Sequence, residues 1–287
     1  MTLVSPVVVG YAGSAAAVAF EGRRAAAIVE FLFRDAAAAG MDTAGLPPAV
    51  QFKLYPDPEK AGLILRRGDS VLAEGAPDGA LAEKLLGDVC RELAAESRGG
   101  LLFHAAALSF GGGGFLVPGG IGAGKTTLAL HLALMGFGYS TDEMVFVQNG
   151  AGTMRPFLRP LNLKENSRPV FEDRLDFKED AHRMLRTHQG WLLSPALFHD
   201  TPPSPEIPVR LIVFPRFLVG EKFDFKPLTK AQATAALMEC LVNSRNRPDY
   251  GLTEAARLAK TTPAFRLRYS QFGQLTEWID SLPKNLG

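Results

Sequence analysis

An eight-residue segment rich in glycine, residues 119–126, constrains the fold of this chain more than any other feature. It reads Gly-Gly-Ile-Gly-Ala-Gly-Lys-Thr and matches the pattern G-x-x-x-x-G-K-[ST] at every specified position. Glycines allow successive backbone N–H groups to turn toward an anion without Cβ clashes, and the N-terminus of a following helix adds partial positive charge. The segment therefore predicts a site for a nucleoside triphosphate, with ATP and Mg²⁺ as the expected cofactors.

The flanks of the segment support that prediction. An apolar strand is predicted at residues 115–117, a helix at 128–135 and another strand at 144–147, and this order is typical of a βαβ unit. Lys125 is expected to reach the β- and γ-phosphates, and the Thr126 hydroxyl to ligate Mg²⁺. The predicted nucleotide-binding residues are Gly119, Gly120, Ile121, Gly122, Ala123, Gly124, Lys125, Thr126 and Thr127.

An acidic pair, Asp142 and Glu143, begins sixteen residues after Thr126. The pair directly precedes the predicted strand at 144–147, whereas most P-loop proteins place the acid associated with Mg²⁺ at the end of a hydrophobic strand. An acidic pair in a turn is often only solvated surface, but its position after a P-loop helix favours a role with Mg²⁺ or in catalysis. His104 lies in an apolar strand predicted at 101–110, where both a core role and a functional role stay open.

The chain is predicted to form two units, residues 1–98 and residues 99–287. The first is expected to be a small α/β unit that recognises an acceptor or regulates the second, which contains the P-loop. The clearest element of the first unit is an amphipathic helix at 80–96, with apolar residues at every fourth position: Leu81, Leu85, Val89 and Leu93. In the second, residues 229–243 are predicted to form a helix that begins with the capping pattern Thr229-x-x-Gln232.

Composition excludes several classes of protein. The chain of 287 residues is 47% hydrophobic, so it is long and apolar enough to bury a core. With 31 basic and 30 acidic residues it lacks the charge of a nucleic-acid binder, and no nucleic-acid partner is expected. No apolar run is long enough to span a membrane, so a cytoplasmic protein without a membrane partner is expected. Cys90 and Cys240 are expected to be buried free thiols.

Taken together, His104, the glycine turn at 111–114, the P-loop and the pair Asp142-Glu143 resemble the catalytic domain of the HPr serine kinase/phosphorylase family. In that family a strand carrying His-Gly leads through a hairpin into a P-loop. A helix, a turn with glycine, Asp-Asp and a hydrophobic strand follow. Residues 104–147 show the same order with nearly the same spacing.

Three features of the family differ here. The family's Asp-Asp is Asp142-Glu143, its His-Gly is His104-Ala105, and its later glycine-rich signature Glu-x-Arg-Gly-Leu-Gly is absent. Because that signature lies near the protein-substrate and phosphorolysis machinery, its absence argues against HPr as the substrate. The chain looks more similar to divergent HPr-kinase-related proteins of bacteria, some of which phosphorylate a peptide serine.

The resemblance implies an α/β fold. The P-loop domain would be of the HPr kinase and phosphoenolpyruvate carboxykinase type with a mixed sheet, beside a small N-terminal α/β unit. It also implies catalytic roles for four residues. Asp142 would orient and deprotonate an acceptor hydroxyl, and Glu143 would hold Mg²⁺ together with Thr126. Lys125 would contact the phosphates, and His104 would support Asp142 or the γ-phosphate.

These residues are compatible with three different functions. The first is an ATP-dependent kinase that acts on a hydroxyl of a peptide, a protein or a small molecule. The second is a nucleotide-binding regulatory or scaffold protein, and the third, ranked last, is a plain NTPase. Arg159 and Lys164 are either contacts for the γ-phosphate or the acceptor, or solvated loop charges. A homo-oligomeric assembly stays open.

Overall fold

The structure, a computed structural model, describes residues 6–38, 46–198 and 204–282. Its strands are β1 Val7–Tyr11, β2 Ser14–Phe20, β3 Val50–Pro56, β4 Leu63–Arg67, β5 Ser70–Glu74, β6 Gly100–Phe110, β7 Gly113–Pro118, β8 Gly138–Thr141, β9 Met144–Gln148, β10 Thr153–Arg155, β11 Leu161–Lys164, β12 Met184–Arg186, β13 Gly190–Leu193, β14 Ile207–Phe217, β15 Asp224–Pro227 and β16 Ala264–Tyr269. Its helices are α1 Arg23–Ala38, α2 Asp78–Ala95, α3 Lys125–Ala133, α4 Lys230–Glu239, α5 Leu252–Thr261 and α6 Thr276–Ser281.

The chain divides into two compact units. One consists of Met1–Arg98 with Leu158–Leu197, and the other of Gly99–Phe157 with Phe198–Gly287. From the sequence, a single division between residues 98 and 99 was predicted. The structure differs in that Leu158–Leu197 groups with the N-terminal residues. A single boundary along the chain cannot describe a unit that is built from two segments far apart in sequence.

The first unit contains a five-stranded sheet with the order β1-β2-β3-β4-β5. Strands β2 and β3 are parallel, and the other neighbours are antiparallel. Helix α2 carries the predicted apolar stripe, and all four of its side chains are buried: Leu81, Leu85, Val89 and Leu93. The period of the apolar residues therefore identified both the helix and the face that enters the core.

The segment Leu158–Leu197 adds a second, three-stranded antiparallel sheet to this unit, with the order β11-β13-β12. Three contacts join the segment to α1 and α2. The Ser194 hydroxyl donates to Asp35 at 3.3 Å, and the Asn162 amide donates to Glu83 at 3.3 Å. At Gly79, a Cβ would lie only 1.7 Å from the carbonyl oxygen of Arg186. Glycine at this position therefore allows α2 to approach the backbone of β12.

The second unit contains an eight-stranded mixed sheet. Its path is β10-β9-β6-β7-β14-β16-β15, with β8 paired to β6 beside β9. Strand β14 is parallel to β7 and β16, whereas β6 is antiparallel to β7, β8 and β9. The predicted α/β class with a mixed sheet is confirmed.

Strand β8 revises the predicted order of elements around the P-loop helix. No strand was predicted between the helix at 128–135 and the strand at 144–147, but Gly138 begins β8, which pairs with residues 107–109 of β6. Because β7 and β8 are both antiparallel to β6, they run parallel to each other, and α3 connects them. A strand of only four residues is too short to show a clear sequence period.

Helices α4 and α5 contribute apolar side chains to the core of the second unit, among them Ala233, Leu237, Ala255 and Leu258, which are buried with residues of β6, β7, β9 and β14. The capping box of Thr229 and Gln232 is present at the start of α4, as predicted. Cys90 and Cys240 are buried and free, as predicted. In the described part of the chain, no helix has the length and apolar character needed to cross a membrane.

Candidate functional site

The glycine-rich loop joins β7 to α3. Gly122 and Gly124 adopt φ angles of +82° and +91°, a region that side chains with a Cβ rarely occupy. At Gly119, a Cβ would lie 3.1 Å from the Cβ of Ala123. Helix α3 begins after Gly124, and no side chain caps its N-terminus. A helix N-terminus without a side-chain cap, preceded by left-handed glycines, is the geometry that surrounds an anion with backbone N–H groups.

Lys125 lies across this loop and is only 7% exposed. Its Nζ donates to the carbonyl oxygens of Gly119 and Gly120, at 2.8 and 3.0 Å. The same Nζ lies 3.0 Å from Nε2 of His104. The ammonium group is therefore held at the mouth of the loop, where a phosphate chain would lie.

Asp142 lies beside Thr126, the residue of the motif that is expected to bind Mg²⁺. The Thr126 hydroxyl donates to Oδ2 of Asp142 at 3.2 Å, and the Tyr139 hydroxyl donates to Oδ1 at 3.2 Å. Asp142 is only 2% exposed. Both carboxylate oxygens are thus held by hydroxyl groups, one of which belongs to the P-loop.

Glu143 points to a different neighbour. Its Oε1 lies 3.2 Å from Nδ1 of His104, and its backbone oxygen lies 3.2 Å from the same nitrogen. The Glu143 side chain is 42% exposed, in contrast to the buried carboxylate of Asp142. The backbone N–H of His104 donates to the carbonyl of Cys240 at 2.8 Å, which ties β6 to the end of α4.

The topology explains why residues far apart in sequence meet here. Because β7 and β8 run parallel, their carboxyl ends lie at the same edge of the sheet. The P-loop follows β7, and Asp142 follows β8 directly. His104 lies on β6, between these two strands. The acids thus do follow a strand, as in most P-loop proteins. They also directly precede β9, as predicted; the sequence pattern did not predict β8 before them.

Tyr139 also belongs to the candidate site, although no sequence pattern predicted it. It is fully buried on β8, three positions before Asp142, and its hydroxyl holds that carboxylate. The only signal in the sequence is a tyrosine in a short apolar stretch, which is equally typical of a core residue.

The residues of the site fit Mg²⁺ and a nucleotide. In the described residues, no group of three or more His, Cys, Asp and Glu side chains is arranged to hold a metal ion. Mg²⁺ in nucleotide sites usually takes only one or two protein carboxylates or hydroxyls, together with phosphate oxygens and water. The Thr126 hydroxyl beside the Asp142 carboxylate provides such a pair of oxygen ligands. Thr127 lies in the first turn of α3, and Ile121 is 90% exposed.

Arg159 and Lys164, which were considered as contacts for the γ-phosphate or the acceptor, do not lie in the unit that contains the P-loop. Both lie in the segment Leu158–Leu197 of the first unit. Arg159 is buried and its Nε donates to the carbonyl of Pro160 at 3.2 Å, whereas Lys164 is exposed at the end of β11. The interpretation of Arg159 as a solvated loop charge is therefore wrong.

Comparison with known proteins gives a distant likeness among solved structures. No family model matches the chain, and no curated protein matches its sequence. Among solved structures, the chain is similar to the HPr(Ser) kinase/phosphatase from Coxiella burnetii, at 14% identity over 63% of this chain and 92% of that one. The TM-score is 0.32.

Proposed function

We propose that this chain is an ATP-dependent, Mg²⁺-requiring kinase that transfers the γ-phosphoryl group to a hydroxyl of a peptide, a protein or a small molecule. The observation that carries the proposal is the 3.2 Å hydrogen bond from Thr126 to Asp142, beside the buried ammonium of Lys125. A P-loop, a buried cation and an acid beside the P-loop threonine are parts that recur in sites of phosphoryl transfer.

Positioning and charge neutralisation supply most of the catalysis in phosphoryl transfer. The N–H groups of the loop and of the first turn of α3 would bind the phosphates, and Lys125 would balance their charge. Thr126 and Asp142 would hold Mg²⁺, which when bound neutralises charge on the β- and γ-phosphates. In this proposal Asp142 takes the metal role that the sequence analysis gave to Glu143.

Glu143 then becomes the candidate base. Its carboxylate is partly exposed and therefore accessible to an incoming hydroxyl, whereas Asp142 is buried. Glu143 would accept the proton of the acceptor hydroxyl while that oxygen attacks the γ-phosphorus, and the bond to the β–γ bridging oxygen breaks to release ADP. His104, 3.2 Å from Glu143, would orient the carboxylate. The first unit is proposed to recognise the acceptor or to regulate the reaction.

A nucleotide-binding regulatory or scaffold protein is the second candidate. The observation that favours it is the environment of Asp142. Both of its oxygens are held by hydroxyl groups of the chain, so it is poorly placed to take a proton from an acceptor. If Glu143, which already contacts His104 at 3.2 Å, does not act as the base either, the site would bind a nucleotide and turn it over slowly.

An acceptor screen separates the two candidates. The full-length protein is incubated with ATP labelled at the γ-phosphate, Mg²⁺ and separate panels of serine-containing peptides, proteins and small hydroxy compounds. The Lys125→Ala variant, purified in the same way, controls for contaminating kinases. Label transferred by the wild type and not by the variant supports the kinase. ATP binding without transfer to any acceptor supports the regulatory protein, and absence of ATP binding contradicts both.

A further inference from the structure

The acids lie on one side of the P-loop strand, and their position indicates where the rest of a bound nucleotide would lie. Asp142, His104 and Glu143 all lie on the β6 and β8 side of the P-loop strand β7. Because the metal binds the β- and γ-phosphates, the terminal phosphate belongs on that side. The α-phosphate and the nucleoside then extend toward the opposite side of β7, where the sheet continues with β14 and β16. Both strands are parallel to β7, so their carboxyl ends reach the same edge as the P-loop.

Three consecutive apolar side chains are exposed at that edge. Phe217, Leu218 and Val219, which we call the apolar ledge, are 42%, 37% and 92% exposed. Phe217 ends β14, and the other two residues follow it. Single exposed apolar residues are common on protein surfaces, but consecutive ones beside a binding loop usually mark a contact surface. All three lack hydrogen-bonding groups in their side chains.

The apolar ledge is attached to the P-loop and held in place. The backbone N–H of Phe217 donates to the carbonyl of Ala123, inside the loop, at 3.3 Å. At Gly124, a Cβ would lie 3.1 Å from the Cβ of Phe217, so the backbone of the loop packs directly against this residue. The N–H of Leu218 donates to the carbonyl of Tyr269 at 3.0 Å.

The turn that follows the ledge is also anchored. The N–H of Glu221 donates to the carbonyl of Leu218 at 3.1 Å. The carbonyl of Glu221 accepts from the Ser270 hydroxyl at 2.9 Å and from the Gln274 amide at 3.3 Å. A surface held by this many bonds is preformed, so a ligand does not have to order it on binding.

We infer that the apolar ledge is the platform for the nucleobase of the nucleotide whose phosphates lie in the P-loop. This inference rests on the proposed function and identifies the surface that would contact the base of the nucleotide. A purine base is flat and apolar on its faces, and it gains affinity from contact with aromatic and aliphatic side chains. Because the ledge has no side-chain donors or acceptors, it distinguishes adenine from guanine weakly.

The test compares ligands with and without a base. Affinities of the full-length protein for ATP, GTP and inorganic tripolyphosphate, each with Mg²⁺, are measured by calorimetry. The same titrations are run on Val219→Ser and on the double variant Leu218→Ser/Val219→Ser. Val71→Ser, which changes a 53% exposed valine of β5, is the matched control. Since Val219 is 92% exposed, its replacement leaves the core untouched.

The expected result is a selective loss. The double variant binds ATP about tenfold more weakly than the wild type, in proportion to the apolar contact removed, and binds tripolyphosphate equally well. Wild-type affinities for ATP and GTP agree within about threefold. Unchanged ATP affinity in both ledge variants, or an equal loss for tripolyphosphate, overturns the platform while leaving the phosphate site intact. If the wild type binds neither ATP nor tripolyphosphate, the proposed function itself is wrong and the platform fails with it.

Discussion

Nζ of Lys125 lies 3.0 Å from Nε2 of His104. An ammonium group only donates hydrogen bonds, so Nε2 has to accept and the imidazole proton has to reside on Nδ1. Nδ1 in turn lies 3.2 Å from the Glu143 carboxylate, which accepts. His104 therefore links the cation of the P-loop to the exposed acid. These contacts favour the functional alternative for His104, which stays a prediction.

Replacing His104 with Ala should weaken the reaction more than it weakens nucleotide binding. Lys125 keeps its two carbonyl partners, so the affinity for ATP should fall by only about 1 kcal/mol, the contribution of one hydrogen bond. Glu143 loses the imidazole that orients it, so transfer should slow further. Calorimetry and the rate of transfer to an identified acceptor measure the two effects. A variant with normal transfer and normal affinity would show that His104 is only a core residue.

Replacing Lys125 with Ala should remove most of the nucleotide affinity. The change deletes a full charge from the phosphate site and should cost roughly 1.5–3 kcal/mol in binding. Lys260→Ala, which alters an exposed lysine on α5, is the control for a general loss of positive charge. Titration of both variants with ATP and Mg²⁺ gives the difference. Equal affinities in folded proteins would rule out the P-loop as the binding site.

Asp142→Asn and Glu143→Gln should produce different defects. The first removes a metal ligand beside Thr126, so ATP affinity should fall and should recover partly as the Mg²⁺ concentration rises. The second removes the candidate base, so the transfer rate should fall by about 10²–10⁴-fold at nearly unchanged affinity. Rates and affinities across a Mg²⁺ series distinguish these patterns. The opposite pattern would support the roles predicted from the sequence, with Asp142 as the base and Glu143 as the ligand of Mg²⁺.

Gly79→Ala should destabilise the first unit. A methyl group there would lie 1.7 Å from the carbonyl oxygen of Arg186, so α2 and β12 would have to separate, at a cost of about 1–3 kcal/mol. Gly87, on the same helix, has nothing within 4 Å of its Cβ position. Gly87→Ala should therefore stabilise the protein by about 0.5–1 kcal/mol through helix propensity. Chemical denaturation compares the two, and similar effects would contradict the packing of Leu158–Leu197 against α2.

Tyr269→Phe should stabilise the second unit, most of all at alkaline pH. Tyr269 is fully buried, and its hydroxyl has no hydrogen-bond partner among the described residues. Removing a buried unpaired hydroxyl should gain about 1 kcal/mol at neutral pH. Burial also raises the pKa of Tyr269, so the wild type loses stability as the pH rises above the ordinary tyrosine value of about 10. Unfolding curves at pH 7 and above pH 10 test both effects, and a less stable variant would show that the hydroxyl is bonded.

The glycine-rich loop that we propose binds phosphate could be predicted from the sequence alone. Eight consecutive residues carry its glycines, lysine and threonine, so the pattern depends only on neighbouring residues. The structure adds the left-handed conformations of Gly122 and Gly124 that require glycine there. The amphipathic helix α2 and the capping box of α4 were equally predictable, because a period of 3.6 residues and a cap are also local features.

Which neighbour each of the two acids contacts depends on the tertiary fold. Asp142 and Glu143 are adjacent in sequence, yet Asp142 lies against Thr126 and Glu143 lies against His104. That difference depends on where β8 ends relative to β6, and a four-residue strand has no sequence period strong enough to show it. The grouping of Leu158–Leu197 with residues 1–98 was likewise decided in three dimensions. Pairing between distant segments depends on complementary surfaces, which a pattern of neighbouring residues does not encode.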